Sequence, residues 1–154
     1  MNVKHLQTLM GQPSTDGLSD IMRTQHRVAE ELLFRTIELT ALVEAGQHRF
    51  IGRALDDLER AECRLGQTEL VRSAMTEAIL GSRKGVEPSL SEVLASVDDE
   101  TATAISATAT EIRAVLAKIA EVRQGAASAA AERATRAGRA LSAATSEAGL
   151  YGRA

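Results

Sequence analysis

Residues 18–46 read LSDIMRTQHRVAEELLFRTIELTALVEAG, and this stretch decides the fold. Alternating steps of four and three from Leu18 reach Met22, Gln25, Ala29, Leu32, Thr36, Leu39 and Val43, of which only Gln25 and Thr36 are polar. Ile21, Val28, Leu33, Ile37 and Leu42 widen the row. Apolar residues at that spacing share one face of a 3.6-residue helix, whereas a half-buried strand needs strict alternation. Gly46 then supplies a C-terminal stop, because the residue just past a helix often turns left-handed. Gln47 and His48 complete a tight turn.

The next 32 residues repeat the pattern. A second helix is expected from about Arg49 to Leu80, with its seam at Ile51, Ala54, Leu58, Ala61, Leu65, Thr68, Arg72, Met75 and Ile79. Gly66 weakens that helix locally, and Arg72 lies on the apolar row with a stem long enough to reach its edge. A three-residue connection between two long helices implies an antiparallel hairpin.

Residues 81–88 break the periodicity with Gly81, Gly85 and Pro88. Ser89-Leu90-Ser91-Glu92 is a capping-box signature and predicts a short helix near 89–97 carrying Leu90, Val93, Leu94 and Val97. Asp98 and Asp99 then favour a new helix start through their charge. Its seam runs Ile105, Ala109, Ile112, Leu116, Ile119 and Val122, and continues in register as Ala126, Ala130, Ala134, Ala137, Leu141 and Ala144. Between Gly125 and Ala148 there are eleven alanines, and Leu141 is the one large apolar side chain. Alanine favours helix but buries little surface. Burying a leucine is worth about 1.5–3 kcal/mol, against about 1–2 kcal/mol to order one backbone residue. This segment is therefore expected to be helical, mobile in isolation and in need of a partner.

Composition points the same way. The 154 residues contain two phenylalanines, one tyrosine, no tryptophan and two prolines. Leu, Ile, Val and Ala suit narrow helix–helix seams, so the fold class is all-α: an elongated helical hairpin plus a long C-terminal helix, coiled-coil-like in its packing. Residues 1–17 read as a flexible lead-in, and 18–154 as one helical domain whose part from 125 to 154 is a mobile binding segment. No window approaches the roughly 18 apolar residues of a membrane span, and no secretory signal pattern opens the chain. A cytoplasmic protein is expected.

The formal net charge is −3, too mild to imply a nucleic-acid partner. From Arg123 onward, however, Arg123, Arg133, Arg136, Arg139 and Arg153 outnumber Glu132 and Glu147. That basic excess is either a solvated face or an attraction for an acidic partner. His5, His26 and His48 lie on different elements, with no second ligand at metal-site spacing, so neither a metal nor a cofactor is expected. Cys63 has no sequence-local base and reads as a small buried hydrophobe. The carboxylates Glu30, Glu31, Asp56, Asp57, Glu59 and Glu62 occupy polar helix faces beside Arg53, Arg60 and Arg64. Without Glu-x-x-His pairs, a phosphate loop or a nucleophile elbow, an enzyme is not expected.

Three stretches carry a family likeness. Glu31-Leu-Leu-Phe-Arg-Thr-Ile-Glu-Leu-Thr-Ala-Leu-Val-Glu-Ala-Gly46, continued by Gln-His-Arg-Phe-Ile-Gly-Arg-Ala54, resembles the first hairpin of the FlgN family of flagellar export chaperones, in the form found in high-GC Gram-positive bacteria. Glu69-Leu-Val-Arg-Ser-Ala74 is similar to that form's second helix, and Leu150-Tyr151-Gly152 looks like its ending. The resemblance implies a cytoplasmic chaperone that binds hook–filament junction (hook-associated) proteins, keeps them soluble and delivers them to the flagellar type III export gate. It also implies that Ala130, Ala134, Ala137, Leu141 and Ala144 line the client groove, and that Tyr151 contacts the gate. The competing expectation is a structural coiled-coil or bundle protein with no export role. A homodimer through the first or last helix belongs to that reading.

Overall fold

A computed structural model describes residues 14–81 and 89–151, with 145–151 described by backbone alone. The described residues form four helices: α1 (Thr15–Glu44), α2 (His48–Leu80), α3 (Leu90–Ser96) and α4 (Asp99–Tyr151). The fold is all-α, as the heptad spacing predicts.

Helix α1 begins three residues before Leu18. Ser14 is extended, and its Oγ accepts from the Gly17 N–H at 3.1 Å, satisfying one of the unpaired first-turn donors. Thr15, Asp16 and Gly17, expected within the lead-in, are therefore helical. Residues 1–13, the rest of that lead-in, lie outside the described residues. At the far end the Gln47 N–H donates to the Leu42 carbonyl at 2.9 Å and the Gly46 N–H to the Val43 carbonyl at 3.2 Å. This is the Schellman closure, and Gly46 supplies its left-handed residue at φ 65°. The chain re-enters helix at once, so His48 belongs to α2 rather than to the turn.

The capping box at Ser89 forms in both directions. Glu92 N–H donates to the Ser89 Oγ, and Ser89 N–H to the Glu92 carboxylate at 3.0 Å. Asp98 caps α4, accepting from the Thr101 N–H at 2.9 Å and the Thr101 hydroxyl at 2.8 Å. Those bonds to the charged form, the backbone one first, hold the Asp98 carboxyl below its ordinary pKa range.

The chain divides into two compact units, Met1–Ile119 and Ala120–Ala154. In the first unit, the buried residues of α1 are Leu18, Met22, Gln25, Ala29, Leu32 and Thr36, six consecutive positions of the predicted seam. They feed two clusters. One joins Leu18 and Met22 to Met75, Val93, Ile105, Ala109 and Ile112, bringing all four helices together. The other joins Leu32, Ala61 and Ile119, flanked by Leu33, Leu58, Leu65 and Val115. Buried Thr36 satisfies its hydroxyl by donating to the Leu32 carbonyl at 2.8 Å, and Thr76 does the same to the Arg72 carbonyl.

Three expectations about burial are corrected. Cys63 is exposed. It lies two residues from Ala61, about 200° around the helix from the seam, and phase outweighs the residue's usual preference for the interior. Ile37 and Val43 are about half exposed, because the hairpin runs on past the second cluster toward its turn. Leu116, although in register with Ile112 and Ile119, is 37% exposed, while its neighbour Val115 packs on the second cluster.

The second unit is the remainder of α4 from Ala120. Val122, Ala126 and Ala129 are half-buried, and every residue from Ala130 to Ala144 is exposed.

Candidate functional site

The five client-binding positions read from the sequence sit on the second unit's helix at i, i+4, i+7, i+11 and i+14. At 100° per residue this puts Ala130, Ala134, Ala137, Leu141 and Ala144 on one face, over a length of roughly 21 Å. All five are exposed, Leu141 by 68%. The stripe is thus assembled by helix geometry alone and presents methyl groups with one isobutyl side chain near its C-terminal end. Arg133 flanks it, about 60° around the helix, whereas Arg136 turns further away and Arg139 lies on the opposite face; all three are exposed. A smooth apolar strip admits close approach by another helix, and Arg133 offers charge at its edge. Tyr151 is the last residue of the described helix, and its side chain lies outside the described residues.

The first unit contains a feature that sequence reasoning missed as a site. Gln25 of α1 is 3% exposed. Its Nε2 donates to the Glu69 carboxylate of α2, which also pairs with Arg72. That donor fixes which end of the amide faces Glu69, and leaves the buried Oε1 of Gln25 with no hydrogen-bond partner. These groups line a groove of about 220 Å³ with Met22, Leu90, Ala109, Ile112, Arg113 and Leu116. The signal was present in the sequence: Gln25 and Arg72 are two of the polar interruptions in otherwise apolar seams.

Elsewhere the polar faces are paired locally. Arg64 reaches Glu31 at 2.6 Å across the hairpin, Arg60 reaches Asp57 at 2.7 Å, and Arg35 bonds Glu38 at 2.9 Å. The bond to Glu38 is the main reason the Arg35 guanidinium holds its proton more tightly than usual. His26 lines an open polar groove with Asp20, Arg23, Arg27 and Glu111, in which Arg23 pairs with Asp20 and Arg27 with Thr24. Among the described residues no group of three His, Cys, Asp or Glu side chains is placed to hold a metal. No described helix is long and apolar enough to cross a membrane.

Comparison with known proteins finds no matching family model, curated protein or solved structure.

Proposed function

We propose that the chain is a cytoplasmic, non-enzymatic export chaperone that binds hook-associated junction proteins and delivers them to the flagellar type III export gate. The observation that carries this reading is the exposed stripe Ala130, Ala134, Ala137, Leu141 and Ala144 on a long helix. An amphipathic client tail would lay its large apolar side chains on that strip and bring the bulk that the helix lacks. Tyr151, at the helix end, is assigned to the gate by its resemblance to the family ending.

Thermal unfolding of the full chain with and without synthetic junction-protein C-terminal tails tests this directly. A ligand that binds the folded state raises the midpoint with concentration. The expected result is a dose-dependent rise that disappears when Ala137→Glu places a charge on the stripe. No rise at high peptide excess would remove the export assignment.

A second reading has its own support. Phe34, Ile37, Val43, Phe50 and Leu55 are each more than two-fifths exposed toward the turn end of the hairpin. Exposed apolar groups so concentrated also suit a structural interaction protein that associates through its hairpin. Sedimentation of the free chain separates the two: a concentration-dependent dimer weakened by Ile37→Glu would favour this alternative.

A further inference from the structure

The groove at Gln25 lies where the first unit's core is divided. On one side is the cluster of Leu18, Met22, Met75, Ile105 and Ile112, and on the other that of Leu32, Ala61 and Ile119. Between them α1 contributes Gln25 and α2 contributes Glu69 and Arg72, while α4 holds Leu116 in register with the core yet leaves it 37% exposed. A leucine in the middle of a buried row is exposed only where its neighbours fail to cover it.

Three chemical features converge there. The first is a floor of Met22, Leu90, Ala109, Ile112 and Leu116. Its volume of about 220 Å³ exceeds the roughly 150 Å³ that suffices for a benzene ring in an apolar cavity. The second is the Gln25 Oε1, buried and unpartnered, which calls for an N–H or O–H donor. The third is cationic. Arg72 and Glu69 neutralise each other, whereas Arg113 lines the same groove without an ion pair among the described residues. The groove therefore carries one net positive charge.

We propose that this groove binds the carboxyl-terminal residue of a peptide that ends in a medium-sized apolar side chain. The side chain fills the floor, the terminal carboxylate pairs with Arg113, and the Gln25 amide turns so that its Oε1, covered in the free chain, accepts from the last amide N–H. The site lies wholly within residues 22–116, in the first unit, and does not depend on the export assignment. The chain's own residues 1–13 are a poor occupant, since they contain no acidic residue to meet Arg113.

N-acetyl-leucine carries all three groups and serves as the probe, with N-acetyl-leucinamide and N-acetylglycine as its controls. Each is titrated into the isotopically labelled full chain, following the Leu90 and Leu116 methyl resonances and the Gln25 side-chain amide. N-acetyl-leucine should give saturable shifts at these three residues, in the millimolar range expected for so small a ligand. The amide and the glycine derivative should each bind about tenfold more weakly or not at all. Arg113→Gln, at an exposed position, should leave the helical spectrum unchanged, weaken N-acetyl-leucine about tenfold and leave N-acetyl-leucinamide unaffected. Absence of saturable shifts at Leu90 and Leu116 overturns the proposal. Equal binding of acid and amide, or indifference to Arg113→Gln, does so as well.

Discussion

Asp98 is where acidity acts on the start of α4. Its carboxylate holds the Thr101 N–H and hydroxyl, and these bonds keep its folded pKa below the ordinary value. The unfolded chain therefore takes up the proton more readily, and the stability Asp98 contributes is present above its unfolded pKa of about 3.9. It is lost as pH falls through the lower folded value. Stability measured by urea unfolding should decline below about pH 4, and Asp98→Asn, which keeps a capping oxygen, should make that decline shallower. An equally steep decline in the variant would shift the cause to other carboxylates. Ala61 shows the opposite kind of residue, one chosen for its size. It is fully buried against Leu32 and Ile119, so Ala61→Leu should cost about 1–3 kcal/mol by overpacking, read as a lower denaturant midpoint. Cys63, two positions on, is exposed for the reason that Ala61 is not: side-chain direction follows helical phase, and composition alone is blind to it.

Helix ends were the most legible elements, because their signals are local. The capping box at Ser89 and the left-handed glycine after α1 each need only a few neighbouring residues to form, and both do. Two glycine substitutions should move in opposite directions. Gly46→Ala forces a Cβ into φ 65° and should destabilise by about 1–2 kcal/mol. Gly66→Ala, in the middle of α2 with nothing within 4 Å of the added methyl, should stabilise by up to about 1 kcal/mol. Calorimetry on the pair decides whether the hairpin turn depends on its backbone conformation, and equal effects would reject that. Ser89→Ala should lower stability by about 1 kcal/mol through loss of the α3 cap. The apolar row puts the start of α1 too late, since the row begins at Leu18 while the cap that starts the helix is Ser14.

The molecule as a whole separates a packed part from an alanine-rich one. Both core clusters lie in Met1–Ile119, so a chain ending at residue 124 should keep its cooperative melting and lose junction-tail binding. Collapse of that melting would make the tail part of the core and remove it as a binding segment. Periodicity and capping chemistry were enough to establish four helices, a hairpin and the identity of most seam residues, because each depends on neighbours within a turn or two. The same arithmetic aligned the alanine stripe, which needs no tertiary contact to form. Folding alone settled which seam positions are covered. Leu116 and Ile112 are indistinguishable by spacing and both line the groove, yet Ile112 is buried and Leu116 is 37% exposed, because exposure there depends on what three separate helices bring to the same level. The joining of Gln25, Glu69 and Arg72, up to 47 residues apart, is likewise a product of the hairpin's register and is invisible to any local pattern.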